Sequence, residues 1–337
     1  MFNLYKLEQK VAVRAVREAV RLCRAVAAEI SPDVLAKKDK SPVTVADFGS
    51  QALICRALAE ALPADPIIAE EDAAELRQPE NAALLDQVLR HIRAVRVEQA
   101  DALSVDEVCR WIDRGGTSQY RDRFWTLDPI DGTKGFLRGE QYAVALALVV
   151  EGQVVVAALA CPNLVAGEDD PTDHDPGSIF FAVQGHGAFV VKGEPGTDEP
   201  LPVRVSDRDD PAAVRFCESV ESGHSAHGDA AAIAGHLGLT TPPLRLDSQA
   251  KYAVVARGEA DIYLRLPTRA DYHEKIWDHA AGALIVTEAG GVVSDIHGRP
   301  LAFHHGRELA VNRGVIVTNG RLHRRVLDAV QALGISS

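Results

Sequence analysis

The chain has 337 residues, 47% apolar and 25% charged, with a formal net charge of −12. That length allows one large α/β domain or two smaller ones sharing a core. The negative balance without a basic block argues against a nucleic-acid polymer as partner. No apolar run reaches the length of a membrane span, and five scattered cysteines without a CxxC argue against a disulfide framework or a zinc site.

Residues Leu7–Ile30 carry apolar positions at helical spacing (Leu7, Val11, Ala15, Ala19, Cys23, Ala27, Ile30), which predicts one long helix ending before Ser31-Pro32. Lys37–Val43 is polar and contains Ser41-Pro42, so it reads as a loop. A second helix is expected over Asp47–Leu62, stopped by Pro63. Pro66–Ala69 reads as a short buried strand running into Glu70-Glu71-Asp72, and Phe124–Leu127 as another, ending at Asp128. Between them, Asp72–Arg121 is helix-prone and charged, with a loop at Gly115-Gly116. Gln141–Leu164 reads as a hairpin of apolar strands turning at Glu151-Gly152. Val165–Ser178 and Lys192–Pro202 read as surface loops, and Ile179–Val191 as strands turning at Gly185 and Gly187.

Beyond Val203 strand and helix alternate. Strands are expected at Val214–Ser219, Leu244–Asp247 and Ala260–Leu266, and helices at Gly228–Leu237, Ala250–Arg257 and Ile276–Ala289. The fold class is therefore α/β, an α+β first part followed by a regular α/β part. A boundary near Val203 gives residues 1–203 and 204–337 as the expected units.

Three acidic groups follow short apolar strands or open helices: Glu70-Glu71-Asp72, Asp128-x-x-Asp131 and Asp278. Oxygen-only ligands suit Mg²⁺, and converging carboxylates repel one another unless a cation neutralises them. Pro129 stiffens the turn between the two aspartates, Gly132 permits close backbone approach, and a helix opening there would aim the Gly132 and Thr133 amides at an anion. Taken singly, each group is an ordinary turn, a solvated helix start or an N-cap; only convergence would make them a site.

The run Trp125-Thr126-Leu127-Asp128-Pro129-Ile130-Asp131-Gly132-Thr133 resembles the signature of the lithium-sensitive, magnesium-dependent phosphatases related to inositol monophosphatase. A second signature, Lys275-Ile276-Trp277-Asp278-His279-Ala280-Ala281-Gly282 followed by Glu288-Ala289-Gly290-Gly291, is similar to theirs too. Within that superfamily the stretches Ser41–Asp47, Ser219–His227, Asp247–Tyr252 and Ile262–Arg265 resemble the 3′(2′),5′-bisphosphate nucleotidases of yeast and plant type. The resemblance implies a layered αβαβα sugar-phosphatase fold and hydrolysis of adenosine 3′(2′),5′-bisphosphate to AMP and phosphate, with two or three Mg²⁺ ions. It implies that Glu70, Asp128 and the Ile130 carbonyl hold one ion, that Asp128, Asp131 and Asp278 hold a second, and that Glu70 faces a third. Asp47 with Thr133 would activate the attacking water, the Gly132 and Thr133 amides would hold phosphate oxygens, and His224, Ser248, Lys251 and Arg265 would line the nucleotide site.

Two departures stand out. Ala69 occupies a position that is usually glycine in the superfamily, and the His224-to-Ser248 spacing is one residue longer than in the yeast form, which leaves His224 and His227 both open as the base contact. An inositol phosphate is the alternative substrate on the same fold, and a non-catalytic metal- or nucleotide-binding regulator is a further reading. The expected protein is a cytoplasmic monomer with a small phosphorylated nucleotide as its partner. No membrane association is expected, and nothing at its N-terminus reads as an export signal.

Overall fold

A computed structural model describes residues 4–30, 41–95, 103–165, 177–193, 199–220, 227–269 and 271–335, with 41–43 and 227 described as backbone only. Helices α1 (Lys6–Ala27) and α2 (Ser41–Ala61) pack along each other. They approach closely because the facing residues are small: α1 buries Ala12, Ala15 and Ala19, and a Cβ on Gly49 of α2 would lie 2.7 Å from the Leu22 side chain. Leu7, expected on the buried stripe, is exposed in the first turn.

Ser41-Pro42 is expected in a loop and α2 from Asp47, whereas the helix begins at Ser41. Proline lacks an N–H, but the first turn of a helix does not need one, so Pro42 opens this helix where it would break an interior. Asp47 is thereby placed in the second turn and not at the helix start.

Seven strands form the first sheet in the order β1 to β7: β1 (Ile67–Ala69), β2 (Arg123–Asp131), β3 (Ala143–Val150), β4 (Gln153–Cys161), β5 (Ser178–Val183), β6 (Ala188–Lys192) and β7 (Leu201–Val203). Only β1 and β2 pair in parallel; the rest are antiparallel. Glu151 and Gly152, both at positive φ, make the expected tight turn between β3 and β4. β7 begins within the stretch expected as a loop, Lys192–Pro202, and ends one residue beyond it. Between β1 and β2 run α3 (Ala82–Val95) and α4 (Val105–Asp113), the latter opened by a Ser104/Glu107 capping box.

The central strands are apolar on both faces because both are covered. One face carries α1 and α2, the other α7 (Ala250–Ala256) and α8 (Ala280–Glu288). Behind α7 and α8 lies a second sheet, ordered β11-β12-β10-β8-β9, from β8 (Phe216–Glu218), β9 (Leu244–Arg245), β10 (Ile262–Arg265), β11 (Val292–Ser294) and β12 (Val315–Thr318). Helices α6 (His227–His236) and α9 (His323–Ala332) close its far side. The layers thus run αβαβα. The first sheet is built wholly from residues up to Val203 and the second from Phe216 onwards. Sequence reading assigned nothing after Ala289, where β11, β12 and α9 lie.

Candidate active site

A cleft of about 390 Å³ opens where β2 ends, and residues from both sheets line it. Glu70 follows β1. Asp128 and Asp131 end β2, where the pairing register to β3 jumps between Asp128↔Ala145 and Asp131↔Ala143. Two residues there oppose one, so the strand bulges at Pro129-Ile130 and re-aims the aspartates. The Ser50 hydroxyl of α2 donates to the Pro129 carbonyl at 3.0 Å and fixes the bulge. Gln51, one residue on, accepts from the Glu71 amide at 3.1 Å and donates to the Glu71 carbonyl at 2.6 Å. One turn of α2 therefore braces both acid-bearing segments.

Asp278 closes a one-turn 3₁₀ segment, Ile276–Asp278, ahead of α8. A continuous helix from Ile276 is expected from the sequence; instead it breaks at His279. Gln249 joins this segment to β2: its amide donates to Asp131 Oδ2 at 2.6 Å, its side-chain nitrogen to the Trp277 carbonyl at 2.9 Å, and its side-chain oxygen accepts from the Gly282 amide at 3.1 Å. Gly132 and Ser248 meet at the same seam. Gly132 has φ +88°, and a Cβ there would fall 2.9 Å from the Ser248 Cβ; Ser248 itself sits at φ +65°, a conformation rarely adopted by a residue with a side chain.

Glu70, Asp128, Ile130, Asp131 and Asp278 all line the cleft, and the acids sense one another. Burial, then Glu71 and Asp131, pushes Glu70 up to about 7, against pulls from Asp128 and Arg307. Burial and Asp131 push Asp278 up to about 7, despite His279 and Arg265. Burial, then Glu70, Asp131, Asp278 and Asp47, holds Asp128 well above the usual carboxylate range. Its Oδ1 is buried without a hydrogen-bond partner, which is costly for a carboxylate unless a cation meets it. Crowded oxygen donors with an orphaned buried carboxylate oxygen fit a hard divalent ion.

Among the described residues, one trio of possible ligands has its atoms within 4.8 Å of one another: Glu274, Asp278 and His279. Two of its members are already engaged. Glu274 accepts from Arg265 at 3.2 Å, and His279 bonds the Tyr252 hydroxyl at 2.7 Å. Burial raises Glu274, but His279 and Arg265 outweigh it and bring it down to about 2. The charges of His279 and Arg265 in this network act on Asp278.

Of the remaining expected residues, Thr133 opens the short helix α5 (Thr133–Arg138) after Gly132 and is exposed in the cleft. Asp47 is buried on α2 behind the acids; burial, then Glu71 and Glu70, raises it well above the usual range. No hydrogen bond joins it to Thr133 among the described contacts. Ser248, Lys251 and Arg265 line the cleft. The Lys251 ammonium is buried and donates to the carbonyls of Leu246 at 3.1 Å and Ser248 at 2.7 Å, so two of its three donors support the Asp247–Ser248 turn. His224 lies outside the described residues, as does the His227 side chain. Sequence reasoning missed Gln249 and Arg307; Gln249 stood inside the quoted Asp247–Tyr252 stretch, whereas nothing local singles out Arg307.

The chain is 44% identical over 340 residues to the 3′(2′),5′-bisphosphate nucleotidase of Schizosaccharomyces pombe, covering 98% of this chain and 96% of that one. It is 43% identical over 347 residues to that of Oryza sativa, covering 98% and 95%. Among solved structures, an inositol monophosphatase from Zymomonas mobilis superposes with a TM-score of 0.64 at 19% identity, over 98% of this chain and 100% of that one, a likeness of fold. The pattern of the inositol monophosphatase family spans residues 4–334, and the chain belongs to that family.

Proposed function

We propose that this chain is a 3′(2′),5′-bisphosphate nucleotidase, releasing phosphate from adenosine 3′(2′),5′-bisphosphate to leave AMP. The observation that carries this reading is identity of 40–44% to nucleotidases of that name along nearly the whole chain, joined to a cleft lined by Glu70, Asp128, Asp131 and Asp278. In the same reading residues 1–203 and 204–337 are two units meeting at the cleft. The first carries Glu70, Asp128, Ile130 and Asp131; the second carries Asp278 and the nucleotide contacts.

Two or three Mg²⁺ ions are the proposed cofactor: Glu70, Asp128 and the Ile130 carbonyl would hold one, and Asp128, Asp131 and Asp278 another, with Glu70 facing any third. Bound there, Mg²⁺ would supply acidity to a water molecule and positive charge to stabilise the transition state. The protein's own groups do the positioning. Thr133 orients the attacking water through its hydroxyl, and Asp47, as the carboxylate, takes the proton; burial, Glu71 and Glu70, which raise its pKa, make that carboxylate a stronger base. These contacts tighten when substrate is bound, as catalytic hydrogen bonds commonly do. The Gly132 and Thr133 amides hold phosphate oxygens at the opening of α5. Ser248, Lys251 and Arg265 set the nucleotide, with His224 or His227 on the base.

No helix among the described residues is long and apolar enough to cross a membrane, and we place the enzyme in the cytoplasm as a monomer. The test is phosphate release from adenosine 3′,5′-bisphosphate, its 2′,5′ isomer, inositol 1-phosphate and inositol 1,4-bisphosphate, each with and without Mg²⁺. Mg²⁺-dependent preference for the nucleotides is expected; a wide preference for the inositol esters overturns the substrate assignment, and binding without turnover overturns the enzyme.

A further inference from the structure

On the Glu70 side of the cleft a cation is already built into the chain. Arg307 follows Gly306, which takes a left-handed backbone (φ +84°) and where a Cβ would lie a tight 3.0 Å from the Ser118 carbonyl oxygen. The turn is thereby pressed against the segment after α4, and Arg307 is delivered to the site. Three contacts tie residues 307–309 to residues 274–276: the Ile276 amide donates to the Arg307 carbonyl at 3.1 Å, the Leu309 amide donates to the Glu274 carbonyl at 2.8 Å, and the Lys275 side chain pairs with Glu308. The guanidinium stacks 4.5 Å over the Trp277 ring and donates to the Glu70 carbonyl at 3.3 Å. It is half-buried, and the charges it faces are Glu70 and Asp72.

One planar group thus touches both acid-bearing segments, the residue before Asp278 through its ring and Glu70 through its backbone. Lysine could supply the charge but not the stack together with the directed bond. A second cation, Arg265, is paired with Glu274 and its charge acts on Asp278. The four acids between them repel one another in the absence of metal.

From this geometry we infer that Arg307 is a tethered counter-ion of the metal site: a positioning residue that holds Glu70 to the Trp277–Asp278 turn and competes with divalent ions for the negative field there. The inference rests on the metal-site reading above, so its test reads binding and folding instead of turnover.

The experiment compares wild type, Arg307→Gln and Arg307→Lys after metal removal, using Mn²⁺ titration by calorimetry and thermal unfolding in EDTA and in saturating Mg²⁺. A unit charge near a doubly charged ion, even screened as in water, changes affinity on the order of tenfold. Arg307→Gln should therefore bind its tightest Mn²⁺ about tenfold more strongly, yet melt lower in EDTA, with Mg²⁺ restoring most of the loss. Arg307→Lys, which keeps the charge, should bind Mn²⁺ as wild type does while melting lower in EDTA. Unchanged or weaker Mn²⁺ binding by a folded Arg307→Gln overturns the inference, as does tightening of equal size in Arg307→Lys. If Arg307→Gln is unfolded in EDTA and folds with Mg²⁺, the counter-ion role stands; if it is unfolded in both, it falls. Wild type that binds no Mn²⁺ would instead sink the metal site itself.

Discussion

Stripped of divalent ions, this protein should be most stable in mild acid and lose stability towards neutral pH. Glu70 is lifted from 4.5 to about 7 by burial, Glu71 and Asp131, and Asp278 from 3.8 to about 7 by burial and Asp131. In the unfolded chain both ionise at ordinary values. Between about pH 4.5 and 7 the folded state therefore holds more protons than the unfolded one, and stability falls as pH rises through that window. Each displacement is worth about 3–4 kcal/mol. The two acids share Asp131 as a neighbour, so their losses overlap, and about 3–5 kcal/mol in total is expected. Below that window the sign reverses: Glu274, held down to about 2 by His279 and Arg265 against its burial, contributes stability that is lost as pH falls from about 4.5 towards 2. Urea denaturation in EDTA at pH 5, 6, 7 and 8 measures the slope. The same series in millimolar Mg²⁺ should flatten or reverse it, because ligands must be ionised to bind metal. Metal-free protein equally stable at pH 5 and pH 8 would refute the reasoning.

Asp131→Asn keeps an oxygen for the Gln249 amide but removes the charge; turnover at saturating Mg²⁺ should fall more than about 100-fold, beyond the loss of a ligand's supporting bond, with an unchanged circular dichroism spectrum. Gln249→Leu leaves the Trp277 carbonyl and the Gly282 amide unpaired in a buried place, which should cost about 1–3 kcal/mol for each group in denaturant titration and weaken Mg²⁺ activation. Gly132→Ala forces a side chain into the left-handed region against Ser248, about 1–2 kcal/mol from the backbone alone, so its melting temperature and its kcat should both drop. Lithium should inhibit phosphate release, and raising Mg²⁺ should relieve the inhibition.

The acid groups were legible because their chemistry is local. Asp128-Pro129-Ile130-Asp131-Gly132 encodes a stiffened bulge and a left-handed turn within five residues, and Ile67–Ala69 and Phe124–Leu127 are apolar runs that end in carboxylates. The first sheet was legible for a similar reason: strands covered on both faces must be apolar throughout. What stayed hidden acts across the chain. Pro42 reads as a breaker unless its place in the first turn is known. Gln249 works through backbone groups of Trp277 and Gly282 in a different element. Arg307 reaches Glu70 from far along the sequence and has the look of any surface arginine. Lys251, expected to line the nucleotide site, also commits two of its donors to the carbonyls of Leu246 and Ser248, which no local pattern announces.

Anomalous diffraction from crystals grown with Mn²⁺ and AMP tests the central assignment most directly. The account predicts scattering peaks on both sides of Asp128, one shared with Glu70 and the Ile130 carbonyl and one shared with Asp131 and Asp278. A single peak at Glu274, Asp278 and His279, or none beside Asp128, would contradict it.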